Sequence, residues 1–274
     1  MPGVYGFEVL DAPGASAQLV DGEPGWPLLT TDRHIGAPTV DRSVIGADRA
    51  AIALRGGGSL AVERLPLRAT YTTPQPLSDD ALIHPYLAPA AAIAAFWLDR
   101  DTFHAGAFLL DGGIWGVIGE KGSGKSSLLA ALARRGHGIL TDDALVVEGN
   151  LVFAGPRSID LRREPARVLD AGELIGTVGD RERWRLRLDP VVSTGRLQGW
   201  VVLAWGALLD VSPLPTGRRL QKLLGHRMIM GLPPPKPELL LELLSLPAFS
   251  FTRPRSWAQL DAGASRLVDT LSAR

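Results

Sequence analysis

The chain reads as an α/β protein with a β-rich N-terminal region, and three observations predict it. The first hundred residues carry short β-like runs broken by Pro, Gly and Asp, with no long helical period. An apolar run at 114–118 enters a glycine-rich loop and leaves it in an alanine- and leucine-rich helix at 126–135. Beyond that, short strand-like and helix-like runs continue to the C-terminus. A soft boundary near Arg100 separates a β-rich region, 1–99, from a domain at 100–274 that holds the loop.

In chain order, β-like runs fall at 5–10, 51–54, 59–62 and 69–73, and Gly56-Gly57-Gly58 reads as a hairpin connection. The first helix is expected over 80–98. The 126–135 helix has Leu128, Leu129 and Leu132 on one face, Arg134 and Arg135 in its last turn and Gly136 as its stop. A strand at 137–141 ends in Asp142-Asp143. Runs at 144–147 and 151–154 bracket Glu148-Gly149-Asn150, a hairpin signal. Arg183, Arg185 and Arg187 alternate with Trp184, Leu186 and Leu188, predicting a strand with one cationic and one apolar face. A buried strand is expected at 199–209. Helices are expected at 220–230 and 237–246, with Pro233-Pro234-Pro235 as a rigid break, and an amphipathic helix at 257–271.

Bulk properties exclude several classes. With 29 basic and 29 acidic residues in 274, the chain has no net charge, which argues against bulk binding to nucleic acid or an anionic membrane. There is no cysteine, so disulfides, thiolate zinc sites and cysteine nucleophiles are out. The Met-Pro-Gly start lacks a signal-peptide arrangement, and the longest apolar stretch, 87–98, is too short to span a bilayer and contains Pro89. A cytoplasmic location is the expectation. Seven tryptophans without basic interleaving suit packing better than base stacking.

The loop itself fits G-x-x-x-x-G-K-[ST], whose backbone N–H groups cradle nucleotide phosphates. Gly119, Glu120, Lys121, Gly122, Ser123, Gly124, Lys125, Ser126 and Ser127 are the expected cradle for ATP or GTP. The glycines let the backbone approach the phosphates. Lys125 reaches the outer phosphate oxygens and the Ser126 hydroxyl sits on Mg²⁺. Asp142 and Asp143 follow Lys125 by 17 and 18 residues, at the end of the next strand. Adjacent carboxylates on extended chain point to opposite sides, so one can support Mg²⁺ while the other accepts a hydroxyl proton. His104, ahead of the apolar run at 108–110, has no role that the residues alone assign, and His34, His84 and His226 read as structural. The arginines at 157, 162, 163 and 167, those of the 183–187 strand, and Arg218, Arg219, Lys222 and Arg227 read first as solvated faces.

The run from 103 to 148 resembles the kinase domain of the HPr kinase/phosphorylase family. The matching residues are His104, the loop from Gly119 to Ser126, Arg135-Gly136-His137 and Leu140-Thr141-Asp142-Asp143. The resemblance implies a phosphoenolpyruvate-carboxykinase-like P-loop kinase core. It also implies that His104, Lys125 and Asp143 form the active centre, with Asp143 taking the proton of a seryl hydroxyl. Mg²⁺ would lie at Ser126, with Asp142 and a later acid, Asp160, as further candidates. The layout outside that run is more similar to shorter HPr-kinase-like proteins, including those found with ribosomally made peptides such as lasso peptides. The expected partner is therefore a peptide or small-protein phospho-acceptor, and the chain's oligomeric state stays open. A kinase for small hydroxylated molecules and a non-catalytic nucleotide-binding module are the alternatives.

Overall fold

In the computed structural model, residues 1–10, 13–38, 40, 43–229, 232–233 and 236–273 are described. The N-terminal region builds one eight-stranded mixed sheet. Its strands are β1 (Pro2–Val4), β2 (Phe7–Leu10), β3 (Val20–Asp21), β4 (Leu28–Ile35), β5 (Val44–Ile45), β6 (Arg49–Ala53), β7 (Ser59–Glu63) and β8 (Arg68–Thr73), ordered β3-β1-β2-β4-β8-β7-β6-β5. In β8, Ala69, Tyr71 and Thr73 are buried while their neighbours are half-exposed, the period of two that a one-sided sheet requires. Gly56, Gly57 and Gly58 turn β6 into β7 at φ of 88°, 91° and 113°, values that strain any residue with a Cβ.

The helix expected over 80–98 is interrupted. A single turn, α1 (Asp79–Ala81), is capped by Ser78 Oγ, which accepts the Ala81 N–H at 3.2 Å. An irregular turn at 82–86 follows, then α2 (Leu87–Trp97), buried on nearly every side. Pro85 lacks an N–H and bars helical backbone at the preceding residue, so His84 is extended at φ −147°, ψ 120°.

The rest of the chain is organised on a nine-stranded sheet. Six strands enter it first: β9 (Asp101–Phe103), β10 (Gly106–Leu110), β11 (Gly113–Ile118), β12 (Ile139–Thr141), β13 (Leu145–Glu148) and β14 (Leu151–Phe153). The β13–β14 turn is the hairpin expected from Glu148-Gly149-Asn150. A separate three-stranded sheet, β15 (Ser158–Leu161), β16 (Glu173–Val178) and β17 (Arg181–Arg187), has β17 at its centre. The chain then returns to the main sheet with β18 (Thr194–Trp205), β19 (Asp210–Pro213) and β20 (Ala248–Arg253). β18 is longer than the expected strand at 199–209. One edge pairs with β11, the other with β14 and then β20.

Alternation along these strands feeds two cores. Trp115, Val117, Val201 and Leu203 face α3 (Lys125–Arg134), α4 (Arg163–Leu169) and α7 (Leu260–Ser272). Ile114, Ile118, Trp200 and Val202 face the side that receives Leu223 of α5 (Thr216–Gly225) and Leu243 of α6 (Pro237–Ser245). Gly116 has to be glycine, because a Cβ there would lie 2.6 Å from the Trp200 ring. A third core binds the N-terminal sheet and α2 to Ala144, Val146 and Phe153, so the two regions share packed interior. The helix expected at 220–230 starts and stops earlier, because Arg227 leaves it to form an antiparallel bridge with Phe103; Met230, Pro234 and Pro235 lie outside the described residues. Among the described residues no helix is long and apolar enough to cross a membrane.

Candidate functional site

Strand directions bring the expected site residues to one edge. β10 is antiparallel to both β11 and β12, so β11 and β12 run the same way, and β18 and β20 run parallel to β11. The loop after β11, Asp142-Asp143 after β12, Trp205 ending β18 and Arg253 ending β20 therefore emerge together. His104, just before β10, joins them. In an open α/β sheet this crevice, outside the strand carboxyl ends, is where ligands bind. Here it is a cleft of about 1550 Å³, lined by the loop, Asp142, Asp143, His104 and Asp160 on one side and by Ile45, Ile52 and Leu54 of the N-terminal region on another.

The loop has the backbone of an anion cradle. Gly122 and Gly124 sit at φ of 85° and 82°, and a Cβ at Gly119 would lie 2.6 Å from Ser123 Oγ. α3 begins at Lys125 with no side-chain cap, leaving first-turn N–H donors for an anion at the positive end of the helix. Ser123 Oγ is buried without a partner among the described residues. Lys125 Nζ donates to Gly119 O at 2.7 Å, and burial lowers its pKa against the pull of Asp142, Asp143 and Glu120. The Glu120 carboxylate lies 3.7 Å from Lys222 and 3.9 Å from His226. Lys121 is exposed and Ser127 is buried.

Two residues that the sequence did not single out brace this loop. Arg253 Nη2 donates to Ser123 O at 3.0 Å and Gly124 O at 3.1 Å, and its guanidinium stacks 4.4 Å from the Trp205 ring. Trp205 Nε1 donates to Gly122 O at 3.1 Å. Burial lowers the Arg253 pKa to about 10, still far above neutrality.

The paired acids have different surroundings, although the chain at them bends after β12 and is not extended as expected. Ser126 Oγ donates to Asp142 Oδ1 at 3.2 Å. Burial and the charge of Asp143 push the Asp142 carboxyl up to about 7, against Ser126 and Lys125. Asp143 adopts φ of 82°, left-handed backbone that Asp tolerates better than most residues. His104 Nδ1 hydrogen-bonds the Asp143 main-chain O at 3.0 Å and lies 3.1 Å from its Oδ1, while Oδ2 lies 3.9 Å from His84 Nε2. Burial raises its carboxyl, but His84, His104, Arg181 and Arg183 outweigh burial and hold it below the usual range. Burial pushes both imidazoles down, toward the neutral form.

A hydroxyl beside a carboxylate suits Mg²⁺, which takes few protein ligands and completes its octahedron with water and phosphate oxygens. Ser126 with Asp142 is such a pair. Among the described residues no group of three or more His, Cys, Asp or Glu side chains could hold a metal by itself. Asp160, the third expected ligand, is differently engaged. Its Oδ1 accepts from Arg185 Nε at 2.8 Å, and its Oδ2 accepts from Arg185 Nη2 at 3.0 Å and Arg183 Nη1 at 3.2 Å. A carboxylate compensated by two guanidiniums is a poor seat for a dication.

The arginines correct the reading of solvated faces. Arg183, Arg185 and Arg227 are 4%, 1% and 8% exposed, each paired with a buried aspartate: Asp160 for the first two, Asp101 for the third. Arg219 donates to the carbonyls of Leu214, Leu244 and Leu246. Arg162, Arg167, Arg187 and Arg218 are exposed, as expected. His84 is the other departure. Pro85 inside a helical pattern was the available signal that its backbone breaks there.

No family model and no curated protein matches the chain. Among solved structures it is similar to the Hpr(Ser) kinase/phosphatase from Coxiella burnetii, at 17% identity and a TM-score of 0.32, over 63% of this chain and 97% of that one. A likeness at that level carries no functional argument. The strands, helices and cleft define a mixed α/β protein with several sheets, and the functional reading rests on the site.

Proposed function

We propose that the chain is an ATP- and Mg²⁺-dependent phosphotransferase that moves the γ-phosphate onto a serine hydroxyl of a peptide or small protein. The observation that carries this reading is the Asp143–His104 pair, at 3.1 Å, beside a glycine-rich loop whose Ser126 already faces Asp142. A nucleotide-binding module needs the loop but has no use for a second carboxylate held apart by imidazoles. The cleft also exceeds the roughly 300–1,000 Å³ typical of single-ligand sites, which suits two substrates.

In this reading the backbone N–H groups from Gly119 to Ser126 hold the phosphates and Lys125 swings from Gly119 O onto their outer oxygens. Ser126 and Asp142 would hold Mg²⁺, which would neutralise charge on the phosphates. His104 fixes one oxygen of Asp143, and Asp143 takes the acceptor proton as the hydroxyl oxygen bonds to phosphorus and the bond to the leaving diphosphate breaks. Held below the usual range, Asp143 works by position more than by basicity. Arg181, which lines the cleft and bears on Asp143 electrostatically, is the guanidinium available to offset charge on the transferring group.

The test is γ-labelled ATP with arrayed serine peptides and, separately, free hydroxy acids and sugars. Label on serine, lost in Asp143→Asn while MgADP still binds, supports the reading. Transfer only to small molecules replaces the acceptor class, and binding without any transfer leaves a nucleotide sensor.

A further inference from the structure

We propose that His84, delivered by the N-terminal region, is a positioning residue for Asp143 and that Arg185 is what seats it. The inference deepens the proposed phosphotransferase reading and rests on it. The two oxygens of Asp143 face two imidazoles from different parts of the chain: His104 Nδ1 at 3.1 Å from Oδ1 and His84 Nε2 at 3.9 Å from Oδ2. The second distance is longer than a direct hydrogen bond. A residue held in left-handed backbone, φ 82°, keeps that conformation only where its surroundings over-determine it. His84 supplies the side that His104 leaves open. Its Nε2 also lies 3.8 Å from Asp160 Oδ2, so it sits between the two acids.

Pro85 alone does not hold His84 there. Pro85 forces the extended backbone that breaks the helix, and Arg185 then grips the segment from β17. Arg185 Nη2 donates to His84 O at 3.2 Å, while Nη1 donates to Asp80 Oδ1 at 2.9 Å and Gln18 Oε1 at 3.2 Å. Its remaining donors go to Asp160. One buried guanidinium thus joins β17, Asp160 and two N-terminal stretches, and the N-terminal region becomes part of the acceptor-activating centre. His84 itself is 4% exposed and lies behind Asp143, so it acts through that carboxylate and does not touch the acceptor.

The experiment uses the full chain with MgATP, water as the acceptor, and MgADP binding by calorimetry. In His84→Phe, ring volume is kept and the nitrogens are lost. Its kcat should fall about tenfold, the lower end of what losing an orienting partner costs, with KM for MgATP and Kd for MgADP within about twofold. His84→Gln should recover part of the loss, and it carries the same comparison if the Phe variant does not fold. On an Asp143→Asn background, in single turnovers, the His84 change should cost nothing further. An unchanged kcat in both His84 variants overturns the inference, as does the same proportional loss with and without Asp143. Failure of the unaltered chain to bind MgADP would instead remove the phosphotransferase reading, and this inference with it.

Discussion

The glycine-rich loop takes much of its shape from its own residues. Ser123 N–H meets Glu120 O at 2.9 Å, and Lys125 Nζ meets Gly119 O at 2.7 Å. The carboxylate cluster beside it is built the other way. Asp143, His84, Asp160 and Arg185 come from four separate stretches and meet only when the N-terminal region, β15 and β17 pack. The first is a mostly local motif, braced from outside at two points, by Trp205 and Arg253. The second is a long-range assembly, in which removing one member leaves buried charge on the others.

The largest test of that contrast is functional. Asp143→Asn should lower phosphate transfer about a thousandfold while MgADP binding stays within about twofold, the range a positioned base contributes. Lys125→Ala should do the converse and abolish the thermal shift given by MgATP. If both variants lose binding equally, the two regions are not separable.

Next in size is the buried network. Arg185→Leu leaves the buried Asp160 with Arg183 as its one remaining guanidinium, and should cost about 3–5 kcal/mol in urea unfolding. Arg187→Leu, on the same strand but exposed, should stay within about 0.5 kcal/mol. Equal effects would mean that Arg185 is no hub.

Asp142 sharpens the comparison through pH. Its carboxyl is raised from 3.8 to about 7, so it stabilises the fold when protonated. That contribution is full below about pH 4 and is lost as pH rises through about 7. In metal-free buffer, Asp142→Asn should therefore gain on the unaltered chain between pH 4 and 8, by on the order of 4 kcal/mol at most, and should lose Mg²⁺-dependent nucleotide binding. A gap that does not widen with pH would remove the charged-carboxyl explanation. Apart from the Arg187 control, the smallest expected effect is Gly124→Ala, at about 1–2 kcal/mol. Its φ is 82°, and the new Cβ would lie 2.6 Å from Arg253 Nη2, which must shift.

What the sequence made legible follows the same division. The strand–loop–helix unit, the 148–150 hairpin and the Asp142-Asp143 pair are set by periodicity and turn chemistry within a few residues, and they stand where expected. Burial of arginine is not written locally. Arg183 and Arg187 share one face of an alternating strand, and only the pairing that sets Asp160 against Arg185 decides which stretch of that face is buried. Arg227 reaches Asp101 across 126 positions, a separation no window sees. The break at His84 did have a local mark in Pro85. What it lacked was any local mark of the acids awaiting it.

Trp205 has a consequence of its own. Its indole is 38% exposed, bonded to the loop carbonyl at Gly122 and covered on one face by the Arg253 guanidinium. Any rearrangement of the loop alters the polarity around a native fluorophore, so the protein carries its own optical gauge of occupancy. Emission difference spectra against a Trp205→Phe chain would follow nucleotide arrival in real time, without an attached dye.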